Sequence, residues 1–227
     1  MKSVSYLIEY ADAQLGKPYW YGTFGNYADY NLYKAKKAQY PKYYTADDYK
    51  SQFGQKVHDC AGLVKGAMWC DTVDGKPTYK ASEDYGANKF YLTAEKKGNI
   101  SSMPDVAGML VFKGTDKQKT HVGVYMGNGQ VNEAKGHKYG VVKSSVDGFK
   151  YWGQCKFFTY DQTSKPSAPA ASAPADVGYS PAEIKAAYDC IKGKYGNGAT
   201  RKAKLKQAGF DYFRVQGLVN KILRGQF

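Results

Sequence analysis

Three residues in this chain have the types that amide-bond chemistry requires: the thiol of Cys60 in "VHDCAGLVKGAMWC", and the imidazole of His121 and carboxylate of Glu133 in "HVGVYMGNGQVNE". A thiolate attacks a carbonyl, an imidazole moves the proton, and a carboxylate orients the imidazole. Asp59 is a good helix N-cap, and "CAGLVKGAMW" can be helical, so Cys60 falls in a first helical turn. There the helix dipole and free N–H groups favour a thiolate and are expected to lower its pKa. A small buried thiol that only fills space fits the same position, so Cys60 alone leaves both readings open.

A base must come from elsewhere, and the chain has three histidines: His58, His121 and His137. "HVGVYMGNGQVNEAKG" reads as a strand, a Gly-Asn-Gly turn and a second strand. Gly123, two residues after His121, leaves room beside the imidazole. A three-residue loop with a bulge at Gly129 puts His121 and Glu133 on one face; a two- or four-residue loop puts Asn132 there instead. His58 is expected to pack or hydrogen-bond near the helix start, and His137 in "KGHKYG" to sit in a loop near a cleft rim. The spacing of His58, His121 and His137 matches no metal motif, so no metal and no cofactor are expected.

The elements that must position these groups occupy one part of the chain. Of 227 residues, 43% are hydrophobic, enough for a real core in one large or two ordinary domains. Residues 164–176, "SKPSAPAASAPAD", carry three prolines and read as a Pro/Ala linker. This sets boundaries of 1–163 for a catalytic domain and 177–227 for a small module. In the module, Ser180, Pro181 and Glu183 open a helix whose face is Ile184, Ala187, Tyr188 and Ile191, ending at Gly193. A second helix covers about 200–208 and stops at Gly209. A third follows Asp211 with Val215, Leu218, Val219 and Ile222 as its apolar stripe. Three helices in so short a chain form a bundle too small for deep catalytic machinery.

The net charge of +13 calls for an anionic partner such as nucleic acid, an anionic membrane or a bacterial wall. Residues 177–227 are the denser cation, with ten Lys/Arg against three Asp/Glu. The four cysteines offer no CxxC pair, which excludes zinc ribbons and thioredoxin-like redox motifs. "MKSVSYLIEYADAQLG" carries Glu9 and Asp12 where a signal peptide needs an unbroken apolar stretch, and no segment has the length of a membrane span. The expectation is a protein made in a cytoplasm, without membrane insertion, that reaches any external target after release.

The order of motifs in residues 5–145 resembles the NlpC-type family of papain-like cysteine peptidases, which cut bacterial cell-wall peptides. The family pattern is a proline-tyrosine, then Asp-Cys-Ser-Gly, then His-x-Gly-x-Tyr-x-Gly-Asn, then a polar residue twelve after the histidine. Here these are "KPYWYG" with Tyr19, "DCAG" with Cys60, "HVGVYMGN" with His121, and Glu133. Ala61 stands where serine is usual, Glu133 where histidine is commoner, and residues 26–54 are extra. That segment holds seven tyrosines and is read as an added wall of the substrate cleft. Some of these tyrosines could stack on glycan, but the blander reading packs most of them onto the domain. The resemblance implies an α+β domain, helices packed on an antiparallel sheet, with Cys60, His121 and Glu133 catalytic and Tyr19 a second oxyanion donor.

The module's "GKYGNG", Arg201, "AGFDY" and "VQ..VN" are similar to the wall-binding repeat of Cpl-seven-type phage lysozymes. That implies peptidoglycan contact through Tyr195, Asn197, Arg201, Gln216 and Asn220. A basic helix–turn–helix DNA binder describes the same helices in a generic way only. Together the two resemblances imply a modular peptidoglycan hydrolase of the phage endolysin kind, acting on the γ-D-glutamyl-diamino-acid bond or the N-acetylmuramoyl-L-alanine bond. The alternative is a wall-binding protein whose papain-like domain has lost activity.

Overall fold

Ser3 pairs in a short strand, β1 (Lys2–Ser3), and caps α1 (Val4–Ala13) by accepting from the Tyr6 N–H. Leu7, Tyr10 and Ala11 form the buried stripe of α1. These are the first elements of a computed structural model that describes residues 1–160, 179–196, 198–210 and, beyond those, 212, 215, 218, 219 and 222. The chain divides into two compact units, Met1–Pro166 and Ser167–Phe227. The linker read at 164–176 lies outside the described residues.

In the first unit, β2 (Phe24–Tyr27) runs antiparallel to β3 (Lys56–His58). Between them lies α2 (Tyr30–Gln39), capped by Asp29, whose carboxylate accepts from the Leu32 N–H at 2.7 Å. This extra segment has its own small core. Trp20 is fully buried, with the rings of Tyr33, Tyr44, Tyr49 and Phe53 edge-on around it at 5.2–6.2 Å. The bland reading therefore holds for these tyrosines. Tyr27, Tyr30 and Tyr43 are exposed.

Next come α3 (Cys60–Trp69), α4 (Ala87–Leu92) and β4 (Lys97–Asn99). Then follow β5 (Leu110–Gly114), β6 (Lys119–Gly127), β7 (Gln130–Gly136), β8 (Gly140–Ser145) and β9 (Tyr151–Gly153). β4 to β9 make one antiparallel sheet in the order β4-β9-β5-β6-β7-β8. A last strand, β10 (Phe158–Thr159), pairs in parallel with β1 and ties the unit's two ends together. Phe112, Val122, Val124 and Ala134 share a core with Leu7 of α1 and Leu63, Val64 and Ala67 of α3. Alternation along the strands gives the other face Met109, Val111, Tyr125 and Val131, packed with Phe149 and Trp152. Helices on an antiparallel sheet are the expected α+β architecture.

Two glycines let α3 approach closely. A Cβ at Gly62 would lie 1.8 Å from the Thr23 carbonyl oxygen, and one at Gly66 would lie 2.3 Å from the Tyr10 hydroxyl. No side chain fits at either place, so the helix seats its N-terminal turn directly against the Thr23 backbone.

The second unit contains α5 (Pro181–Ile191) and α6 (Gly198–Gln207). The capping box is present in full, with Ser180 accepting from the Glu183 N–H and Glu183 accepting from the Ser180 N–H. The buried face of α5 is Ala186, Ala187 and Cys190, while Tyr188 and Ile191 are exposed. Of the face expected, Ala187 and Ile184 pack with Leu205, Val215, Leu218 and Val219, whereas Tyr188 and Ile191 give way to Ala186 and Cys190. Among the described residues no helix is long and apolar enough to cross a membrane.

Candidate active site

α3 begins where the sequence placed it. Asp59 Oδ1 accepts from the Gly62 N–H at 2.6 Å, and Oδ2 accepts from the Gly22 N–H at 2.8 Å. One carboxylate thus caps the helix and pins the loop after Tyr19. Cys60 is partly exposed, whereas Cys70, Cys155 and Cys190 are buried thiols. The Cys60 sulfur lies against the backbone N–H groups of Val122, Ala61 and Cys60 itself. Val122 follows His121 in β6, so the start of α3 meets the β6 backbone next to His121.

The thiol's acidity differs from the expectation. Burial, and then the Asp59 carboxylate, push it up to about 12, and the three N–H groups only partly oppose them. The resting sulfur is therefore a protonated thiol that needs a base. Asp59→Asn keeps a capping oxygen but removes the like charge. We expect iodoacetamide to alkylate Cys60 roughly three- to tenfold faster at pH 8 in this variant, read by peptide mass mapping. An unchanged rate would remove Asp59 from the explanation.

His121 Nε2 donates to Glu133 Oε2 at 2.5 Å. The loop that achieves this is not the one expected. Gly127 pairs with Gln130 across a two-residue turn, with Asn128 and Gly129 both at positive φ (53° and 72°). That turn alone would carry Asn132 to the His121 face. A bulge in β6 between Tyr125 and Gly127 restores the parity, so Glu133 faces His121. Asn132 points the other way, toward Asp12 at 3.4 Å. Gly123 sits between the two site residues. A Cβ there would meet Val131 Cγ1 at 2.5 Å and Glu133 Cβ at 3.3 Å, so glycine is what lets the carboxylate reach the ring.

Lys113 was not anticipated. It stands opposite His121 on β5, and its Nζ lies 3.3 Å from the same Glu133 Oε2. A basic residue on the strand preceding the histidine is the only signal the sequence carried. Glu133 is fully buried. Burial would push its carboxyl up, but the hydrogen bond from His121 and the charges of His121 and Lys113 hold it at about 2.

Tyr19 lies near Cys60 because its segment runs parallel to β3, bridging His58. Burial first, then the negative charge that Cys60 would carry once ionised and that of Asp59, raise its phenol well above the usual range, so it stays a proton donor. His137, in the turn after β7, faces oxygen acceptors with both ring nitrogens, Asp48 Oδ1 at 2.6 Å and the Tyr19 carbonyl at 3.3 Å. It thereby clasps the extra segment to the Tyr19 strand.

His58 is completely buried, with Nε2 2.9 Å from the Tyr10 hydroxyl. Burial, helped by Lys56 and Lys17, depresses its pKa to about 3. A base depressed on folding stabilises the fold above its unfolded pKa of about 6.5 and loses that contribution as pH falls toward 3. The melting temperature should therefore drop between pH 6.5 and 4. A His58→Gln protein, less stable at neutral pH, should show a shallower drop; parallel slopes would rule His58 out as the cause.

In the second unit, Arg201 donates to the carbonyls of Gly196 (2.9 Å) and Cys190 (3.4 Å), closing the turn between α5 and α6. Tyr195 is half-buried against that unit's core. Asn197, Gln216 and Asn220 lie outside the described residues.

The profile of the NlpC/P60 family matches residues 41–158, which contain Cys60, His121 and Glu133. The chain belongs to the NlpC/P60 family. The match begins after Tyr19, so that residue's place beside Cys60 rests on the geometry above. A CW_7 repeat matches residues 185–223. Solved structures similar to the NlpC/P60 domain include the peptidoglycan hydrolase RipB of Mycobacterium tuberculosis. It is 23% identical over 69% of this chain and 65% of that one, with a TM-score of 0.43. The P60 domain of an antigen of Mycobacterium avium subspecies paratuberculosis is 22% identical over 69% and 96%, at 0.41. The resuscitation promoting factor interacting protein RipA is 25% identical over 67% and 62%, at 0.41. The matched region thus spans less than two thirds of RipA and RipB. No curated protein matches the chain.

Proposed function

We propose that this protein is a modular peptidoglycan hydrolase that cleaves an amide of the cell-wall stem peptide through Cys60. The observation that carries the proposal is the 2.5 Å pair between His121 of β6 and Glu133 of β7, with the N–H of Val122, the residue after His121, turned to the Cys60 sulfur. Glu133 holds Nε2, which leaves Nδ1 as the proton acceptor for the thiol. As Nδ1 takes the proton, the sulfur attacks the amide carbonyl. The negative oxygen is received by the Cys60 N–H and the Tyr19 hydroxyl. His121 returns its proton to the nitrogen as the C–N bond breaks and the amine leaves. Water, deprotonated by His121, then cleaves the thioester, giving a carboxylate and the free thiol.

The CW_7 repeat supports retention on the wall, with Tyr195, Asn197, Arg201, Gln216 and Asn220 as contact residues. Pairing a hydrolase domain with such a repeat fits a lytic enzyme of the phage endolysin kind, released to the wall from the cytoplasm. The bond cut is either γ-D-glutamyl-diamino-acid or N-acetylmuramoyl-L-alanine. Mass spectrometry of purified walls after digestion tests both steps. New amino termini on the diamino acid identify an endopeptidase, and free L-alanine termini identify an amidase. Walls left intact would overturn the proposal.

A further inference from the structure

The extra segment does more than enclose Trp20. It forms one wall of a cavity of about 520 Å³ whose floor includes Asp59 and Ala61, the two neighbours of Cys60. Lys36 and Tyr40, from α2 and its C-terminus, supply that wall, and Lys65 and Asp84 face them. The charged groups of this cavity differ in how they are used. Both oxygens of Asp59 accept backbone N–H groups. Asp84 takes Lys65 Nζ at 2.6 Å on one oxygen and the Tyr79 hydroxyl at 3.1 Å on the other. Lys65 is thereby paired. Lys36 has three donors, and among the described residues its only hydrogen bond is a long one to Gln39 Oε1 at 3.4 Å.

We infer that Lys36 is a specificity residue that binds a carboxylate of the stem peptide in this cavity, a reading that rests on the hydrolase function proposed above. A half-buried ammonium beside the nucleophile, with its neighbours' carboxylates already engaged, gains most from an anion brought by the ligand. Burial already lowers the Lys36 pKa, the direction that an incoming carboxylate would reverse.

The test uses full-length Cys60→Ala protein and three synthetic stem peptides. One has free carboxylates, one is amidated at the glutamyl α-carboxyl, and one is amidated at the C-terminus. Calorimetry should show one of the amidated peptides binding about 10- to 100-fold more weakly than the free acid, which names the carboxylate involved. Lys36→Met should erase that preference, and Lys36→Arg should retain most of it. Equal binding of all three peptides, or a preference that survives Lys36→Met, overturns the assignment. Hydrolysis of the free acid by protein with Cys60 intact is scored separately. Its failure would sink the hydrolase reading, whereas the Lys36 preference is read from binding alone.

Discussion

Cys60→Ala should lower wall hydrolysis at least about 10³-fold, toward the roughly 10⁶-fold losses seen when an enzyme's nucleophile is removed and only binding and oxyanion stabilisation remain. Wall binding, measured by co-sedimentation, should not change, because the CW_7 repeat is a separate compact unit. The fold should also persist. Cys60 is the first residue of α3, Asp59 still caps the helix, and alanine is the best helix former. No other thiol can stand in, since Cys70, Cys155 and Cys190 are all buried. Turnover within tenfold of the unaltered protein would refute the assignment, and a collapsed melting temperature would show that the cysteine was structural after all.

The parts of this site set by local chemistry were legible in the sequence. Asp59 caps α3 because a short carboxylate before a helical run does so wherever the helix is, and the Ser180–Glu183 capping box formed for the same reason. Gly123 signalled a close approach, and it has one. What depended on tertiary placement was not legible. The partner of His121 turned on hairpin parity, and the β6 bulge that fixes it has no local signature in "VYMGNG". The Cys60 pKa went up because burial and the Asp59 charge outweigh the helix start, and neither burial nor distance can be read from spacing. Lys113 joined the site only because β5 lies beside β6. The buried face of α5 kept Ala187 and Ile184 but took in Ala186 and Cys190 where Tyr188 and Ile191 were expected, a small rotation that helical spacing alone does not resolve.

Glu133→Gln should separate the two jobs of that carboxylate. In catalysis, the amide oxygen can still accept from His121 Nε2, but it carries no charge to stabilise the imidazolium formed when the thiol is deprotonated. A loss of about 10² to 10⁴ in kcat/KM is expected, with KM changed far less. In stability, the carboxyl titrates at about 2 when folded, against 4.5 unperturbed. The folded state therefore gives up this proton first, so the contribution is complete above pH 4.5 and is lost as pH falls from there through about 2. The shift corresponds to roughly 3 kcal/mol. Glutamine does not titrate, and it leaves Lys113 Nζ facing a neutral group. Urea unfolding of the two proteins should thus differ by a few kcal/mol at pH 6, and the gap should close as pH falls toward 3. The acid sensitivity contributed by His58 is present in both proteins and cancels in the difference. A gap that stays constant across that range would mean that Glu133 stabilises the fold through shape and hydrogen bonding alone. The charge argument for its role beside His121 would then fail with it.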